Sequence, residues 1–327
     1  MDKVLVTGAT GFIGSHLAEE LARRGSRVTC LVRRASQVRE LKRLPVRLVA
    51  GDYMDPGSLE EAVRGQDAVF HLAALLNGRD WPDYYRANTL STKNLADACR
   101  KAAPGLKSFV FVSSISAVGP SEGGQRLDET APCRPISNYG RSKLAAEQAL
   151  RSTGSRLPWV IVRPPNVLGP RQRELLQAMN LLRWGIMPVV GNGQPQTSVC
   201  DVDDLVRALI LAVERPEARG QTYLVTDGKD YAWRDITLAL AKELGVGKIR
   251  LKVPYGFQYG LAWLAEGISR LGNKPPLLSR EMLRSGHRCE WLYDGGKIRR
   301  ELGFSPRFTL QDSVRRAVAW YRKSGPL

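Results

Sequence analysis

Val4-Leu5-Val6-Thr7-Gly8-Ala9-Thr10-Gly11-Phe12-Ile13-Gly14 is the stretch that decides the fold. A short β-branched run enters a G-x-x-G-x-x-G loop. The segment after it is amphipathic, with Ile13, Leu17 and Leu21 on one stripe beside Ala18 and Ala22. Strand, glycine turn and helix in this order form a cradle for a pyrophosphate: glycine lets the backbone approach the phosphates, and the helix start offers them free N–H groups and positive dipole. Gly8, Thr10, Gly11, Phe12, Ile13 and Gly14 are the expected phosphate-loop residues.

Working outward, strand-like runs over 27–32, 46–50, 68–72, 109–113 and 159–163 alternate with helix-period segments. That alternation predicts an α/β fold, a doubly wound parallel sheet. From Pro164 onward Pro and Gly punctuation takes over, then a helix over 203–214 and a strand over 222–225. The expected division is a dinucleotide-binding domain over 1–165, its sheet completed by segments around 200–226, and a mainly substrate-binding α/β region over 166–327. The second strand ends in Arg33-Arg34, where an NAD site usually offers a carboxylate to the ribose hydroxyls. A guanidinium can instead fork onto a 2′-phosphate, so NADP is expected over NAD.

Composition bounds the rest. With 327 residues, 43% of them hydrophobic and 25% charged, the chain is globular and neither disordered nor collagen-like. The longest strongly apolar stretch, 253–265, is shorter than the ~20 residues a membrane helix needs. Met1-Asp2-Lys3 leads straight into the first strand without the pattern of a secretory signal, so a cytoplasmic protein is expected. Five scattered cysteines and three histidines suggest neither a disulfide framework nor a metal site. The net charge of +17 invites an anionic partner, and residues 248–327 hold sixteen basic against six acidic side chains. The bland alternative is a solvated basic surface. No nucleic-acid-binding module is recognisable, and no nucleic-acid partner is expected.

Two further motifs carry chemistry. Tyr139 and Lys143 stand four apart, on one face of a predicted helix, where an ammonium would favour the phenolate of an acid/base tyrosine. Ser113 and Ser114 end a predicted strand, the place where parallel sheets bind ligands. Between 255 and 271, Phe257, Leu261, Leu264, Ile268 and Leu271 form an apolar helical stripe expected to face the core. Tyr255, Tyr259 and Trp263 form a second, expected in a two-sided or dimer contact, against a large apolar pocket, or on the inner membrane face.

Together these residues resemble the extended short-chain dehydrogenase/reductase family, the NAD(P)-dependent epimerase/dehydratase group. The further marks are Gly51-Asp52-Tyr53, His71-Leu72-Ala73-Ala74, Arg163-Pro164-Pro165-Asn166-Val167 with Gly169-Pro170, Asp201-Val202-Asp203-Asp204, and Glu301-Leu302-Gly303-Phe304. The resemblance implies that Asp52 and Tyr53 sit at the adenine, Leu72, Ala73 and Ala74 along the ribose and pyrophosphate, and Pro164 to Val167 near the nicotinamide. It also implies that Ser114 hydrogen-bonds the reacting oxygen, that Tyr139 is the acid/base, and that Lys143 holds the nicotinamide ribose while lowering the Tyr139 pKa. Ser114, Tyr139, Asn166 and Arg284 are the expected substrate contacts.

Departures from the family pattern narrow the reaction. Thr197 stands where sugar epimerases clamp a diphosphate with arginine. Their late R-P-G-D motif reads Arg284-Ser285-Gly286-His287, and Ile115-Ser116 replaces the acidic pair of dehydratases. What remains looks like the 3β-hydroxysteroid dehydrogenase and dihydroflavonol reductase branches. The expectation is an NADP(H)-dependent oxidoreductase for a hydroxyl or keto carbon of a fairly large substrate. A nucleotide-sugar epimerase is the alternative, and a non-catalytic NADP-binding protein the third.

Overall fold

The computed structural model describes residues 1–187, 193–247, 251–252, 254–271, 280, 283, 286 and 289–325, with the side chains of 251–252 and 268–271 left aside. The strands are β1 (Lys3–Thr7), β2 (Arg27–Val32), β3 (Arg47–Ala50), β4 (Ala68–His71), β5 (Ser108–Val112), β6 (Trp159–Arg163), β7 (Asn166–Leu168), β8 (Ile186–Met187), β9 (Gln196–Asp201), β10 (Thr222–Leu224), β11 (Asp230–Ala232) and β12 (Leu251–Lys252). The helices are α1 (Phe12–Arg23), α2 (Pro56–Val63), α3 (Trp81–Tyr84), α4 (Ser91–Ala102), α5 (Asn138–Arg151), α6 (Arg173–Arg183), α7 (Val202–Glu214), α8 (Trp233–Leu244), α9 (Tyr255–Leu271), α10 (Gly296–Leu302) and α11 (Leu310–Ser324). The strands foreseen from the sequence begin or end within a residue or so of those observed.

Seven strands form one parallel sheet in the order β10-β6-β5-β4-β1-β2-β3. Alternate side chains serve opposite faces, which is why these strands are apolar on both. Val4, Val6 and Phe70 pack under α1 and α7. Leu5, Val69, Phe109 and Phe111 pack under α2, α4 and α5. The strand order reverses between β1 and β4, and the crevice beyond their C-terminal ends is where such sheets bind ligands.

The later chain contributes β10 to the sheet edge and α7 to one covering layer. It also forms a small sheet, β11-β9-β7, and a separate core in which Leu175 and Met179 of α6, Ile236 and Leu240 of α8, and Val314 and Val318 of α11 meet. The two regions are tied across α1: His16 Nε2 lies 3.0 Å from the Pro170 carbonyl oxygen, and Arg171 bonds Ser15 Oγ and Glu19.

The expectation for α9 is corrected. Phe257, Leu261 and Leu264 are exposed, and the face turned inward carries Tyr255, Gln258, Tyr259, Ala262, Ala265 and Glu266. Glu266 explains the rotation, since its carboxylate accepts from the backbone N–H and Nε of Arg280, each at 2.7 Å. Trp263 leaves its companions Tyr255 and Tyr259 and is also exposed.

Candidate active site

The phosphate loop is shaped by what its glycines must avoid. Gly8 has φ +70°, and a Cβ there would lie 2.6 Å from the Ala73 nitrogen; a Cβ on Gly14 would lie 2.2 Å from the Gly8 oxygen. Those two glycines are demanded by packing. Gly11 differs, because a Cβ there would meet only the Gly8 oxygen at 3.2 Å. Gly11 also stands at the N-cap of α1 without a side-chain hydrogen bond, so the helix start keeps free donors. This loop fits a nucleotide diphosphate: Phe12 and Ile13 would present backbone N–H groups to it, with Thr10 beside them, while the Gly11 N–H closes the turn onto the Gly8 oxygen at 3.0 Å.

Arg33 and Arg34 follow β2 and are exposed. Asp52 is exposed and its carboxylate accepts from the Met54 N–H at 2.9 Å, whereas the Tyr53 ring turns inward, with its centroid 5.8 Å from that of His71. Burial pushes the Tyr53 phenol up to about 12. Leu72 and Ala73 are half-buried beside the glycine loop, and Ala74 is exposed. The Thr7 hydroxyl approaches both the Ala73 N–H, at 3.4 Å, and His71 Nδ1, at 2.7 Å.

The catalytic candidates converge at the end of β5. Ser114 caps a single 3₁₀ turn, Ile115–Ala117, accepting from the Ser116 N–H at 3.0 Å. Its side chain lies close enough to the half-buried Tyr139 to draw that phenol's pKa down. Tyr139 lies in the first turn of α5, which Ser137 caps by accepting from the Gly140 N–H. Gly140 is needed for this approach, since a Cβ would fall 2.1 Å from the Ser116 oxygen.

Lys143 is buried beside the end of β5. Its ammonium donates to the Val112 carbonyl oxygen at 2.6 Å and lies 4.2 Å from the Phe111 ring centroid. Burial depresses its pKa to about 7, opposed by Glu147. The expected lowering of the Tyr139 pKa is corrected accordingly: burial is the main influence and pushes the phenol up to about 12, while Ser114 draws it down and Tyr84 adds to the rise. The ammonium is instead engaged by the carbonyl at the end of β5.

Pro164 follows β6, and Val167 lies in β7 opposite Cys200 of β9. Asn166 Nδ2 donates to Thr197 Oγ1 at 2.7 Å. Arg284 and His287 lie outside the described residues.

Three groups at the site were not foreseen. Glu147, one turn beyond Lys143, is fully buried and accepts from Ser113 Oγ at 2.6 Å and from Nε and Nη2 of Arg163 at 2.9 and 2.6 Å. The i, i+4 spacing from Lys143 was the signal for it. Asn88 sits in a π-helical segment, Tyr85–Leu90, and bonds both backbone polar groups of Leu75 and Ser142 Oγ. A hydrogen-bonded chain runs from Thr7 through His71 and Thr92 to the Asn88 carbonyl oxygen.

Residues 4–226 match the model of the NAD dependent epimerase/dehydratase family. The chain belongs to that family. It is similar to the 2-alkyl-3-oxoalkanoate reductase of Stenotrophomonas maltophilia, with 30% identity over 97% of this chain and 98% of the relative. It is 30% identical to sterol demethylase protein B of Methylococcus capsulatus, over 98% of each. The solved structure of MoeE5 in complex with UDP-glucuronic acid and NAD superposes with a TM-score of 0.79 at 27% identity, covering 98% of this chain and 99% of that one. As a member of the epimerase/dehydratase family the protein is an NAD(P)-dependent enzyme with a pyridine nucleotide cofactor.

Proposed function

We propose that the protein is an NADP(H)-dependent oxidoreductase that interconverts a hydroxyl and a keto group on a fairly large, apolar substrate. The observation that carries the reading is the approach of Ser114, just beyond the end of β5, to Tyr139 in the first turn of α5, close enough for Ser114 to draw the phenol's pKa down, with apolar side chains exposed on neighbouring segments. Leu76, Trp81, Tyr85 and Ile136, from the segments after β4 and before α5, are all exposed. Tyr84, in the same segment, is close enough to act on the Tyr139 phenol. At Thr197, where a sugar epimerase is expected to clamp a diphosphate, the buried hydroxyl is bonded to Asn166 and offers no charge. Relatives named for a 2-alkyl-3-oxoalkanoate and a sterol fit the same substrate class.

A bound nicotinamide would supply or accept the hydride. Ser114 would hydrogen-bond the substrate oxygen, and Tyr139 would pass its proton to that oxygen during reduction and take it back during oxidation. Lys143 would hold the nicotinamide ribose. Arg33 and Arg34 would fork onto the 2′-phosphate, a charge-assisted contact of roughly 1.5–3 kcal/mol. Titration with NADPH and NADH, followed by turnover on long-chain 3-oxo compounds, sterol ketones and UDP-sugars, tests the reading. NADPH should bind more tightly, and Arg33→Asp should reverse the order. Equal or tighter NADH binding sinks the cofactor assignment, and UDP-sugar epimerisation sinks the reaction.

A further inference from the structure

α9 turns its apolar stripe away from the protein. Trp263 is 63% exposed, Phe257 62%, Leu264 53% and Leu261 47%. This is no chance scatter, because Phe257, Leu261 and Leu264 recur at helical spacing, with Trp263 beside them. The opposite face is already satisfied. Ala262 is fully buried, the Tyr255 and Tyr259 rings pack with centroids 6.0 Å apart, and Glu266 is paired with Arg280. The helix is therefore seated, and among the described residues nothing covers its most apolar side.

Charge indicates what covers it. In the sequence Lys248, Arg250 and Lys252 precede α9, Arg270 is its penultimate residue and Lys274 follows; residues 248–288 hold eight basic and two acidic side chains. Between Tyr255 and Ser269 the only charge is Glu266, on the inward face. Two more exposed apolar side chains, Leu181 and Trp184, come at the end of α6 just before β8, the strand paired with β12 immediately upstream of α9.

A second copy of the chain fits this face poorly. A two-fold contact would bring the same basic flanks together, in a protein already carrying +17. A lid over the substrate crevice would turn the apolar stripe inward, and here the inward side carries tyrosines and an ion pair. An anionic bilayer meets both requirements at once. It takes Trp, Phe and Leu at the headgroup boundary and attracts the flanking cations.

We propose that α9 is an interfacial helix, by which the protein rests on an anionic lipid surface with Phe257, Leu261, Trp263 and Leu264 in the headgroup layer. The helix lies on the membrane and does not cross it. Among the described residues no helix is long and apolar enough to span a bilayer.

Vesicle flotation of the full chain, without nucleotide or substrate, tests this independently of the reaction proposed above. On vesicles with about 30% phosphatidylglycerol the protein should float, and binding should weaken at least ~10-fold between about 0.1 and about 0.5 M salt. It should float poorly on neutral phosphatidylcholine. Leu261→Glu with Leu264→Glu, both at exposed positions, should abolish flotation without lowering the melting temperature. Leu48→Glu, an exposed apolar position on β3, should float normally. Absence of flotation, equal binding to neutral vesicles, or flotation that survives the α9 double change would each overturn the proposal. So would a concentration-dependent dimer in sedimentation that the same double change dissolves, since the face would then belong to a second copy.

Discussion

The carboxylate of Glu147 accepts both Nε and Nη2 of Arg163, at 2.9 and 2.6 Å, with both side chains buried. The pair links α5, which carries Tyr139 and Lys143, to the end of β6, and Ser113 Oγ brings in the end of β5. Removing one partner leaves the other charge in the interior, which costs roughly 3–5 kcal/mol, whereas replacing both with apolar residues of similar volume is often close to neutral. Glu147→Gln should therefore lose about that much stability in urea denaturation. Glu147→Met with Arg163→Met should recover most of it. If the double variant were the less stable, the pair would be contributing net stability and not merely avoiding an unpaired charge.

Tyr139→Phe keeps the ring and removes the hydroxyl, and turnover on the true substrate should fall about 10²–10⁴-fold. Because burial holds the phenol up near 12, Tyr139 is protonated at neutral pH and ready to act as an acid. Reduction should thus hold its rate from neutral pH well into the alkaline range, and oxidation should rise with pH across it. Steady-state profiles in both directions check this. A reduction rate that falls near pH 7 would point to Lys143, whose pKa burial brings to about 7, as the controlling group.

What was legible from the sequence is what periodicity and turn chemistry encode. The glycine loop, the parallel strands and the approach of Ser114 to Tyr139 follow from elements whose side-chain directions are set by their own backbone. Lys143 shows the limit, since i, i+4 spacing places it on the Tyr139 face but does not say which end of a long, flexible side chain's neighbourhood it will choose. It chose the Val112 carbonyl. The π-helical segment around Asn88 shifts the register of its helix, which a 3.6-residue period does not register. α9 carries two stripes of similar apolarity, and its orientation rests on the pairing of Glu266 with Arg280, a contact across fourteen residues of sequence.

Two glycines of the loop, Gly14 and Gly11, should separate folding from binding. Gly14→Ala places a Cβ 2.2 Å from a backbone oxygen and should lower thermal stability or prevent folding. Gly11→Val meets no such backbone clash and should give a folded protein, yet it fills the space left for the diphosphate. Nucleotide affinity should drop by at least ~10-fold, read by fluorescence titration, while the melting temperature of the free protein changes little. A folded Gly11→Val protein with unchanged affinity would show that the nucleotide does not lie against this loop.

His71 should govern the acid side of the stability curve. Its ring is fully buried, with Nδ1 2.7 Å from Thr7 Oγ1 and Nε2 3.0 Å from Thr92 Oγ1. The Thr92 hydroxyl donates to the Asn88 carbonyl oxygen, so it accepts from Nε2–H, and Nδ1 is left to accept from Thr7. A second proton would collide with that arrangement, and burial, reinforced by the charge of Lys143, lowers the pKa from 6.5 to about 3. The unfolded chain takes up this proton near 6.5 and the folded chain refuses it until about 3. Between those values the unfolded state holds more protons, so stability falls as pH falls, by up to ~1.4 kcal/mol per pH unit for one group. Above about pH 5 the carboxylates of the unfolded chain are still ionised, so that part of the slope belongs mainly to histidine. His71→Asn will lose packing and be less stable at pH 7, but its urea midpoint should change less steeply between about pH 6.5 and 5. Parallel curves for the two proteins over that interval would assign the acid sensitivity to another group.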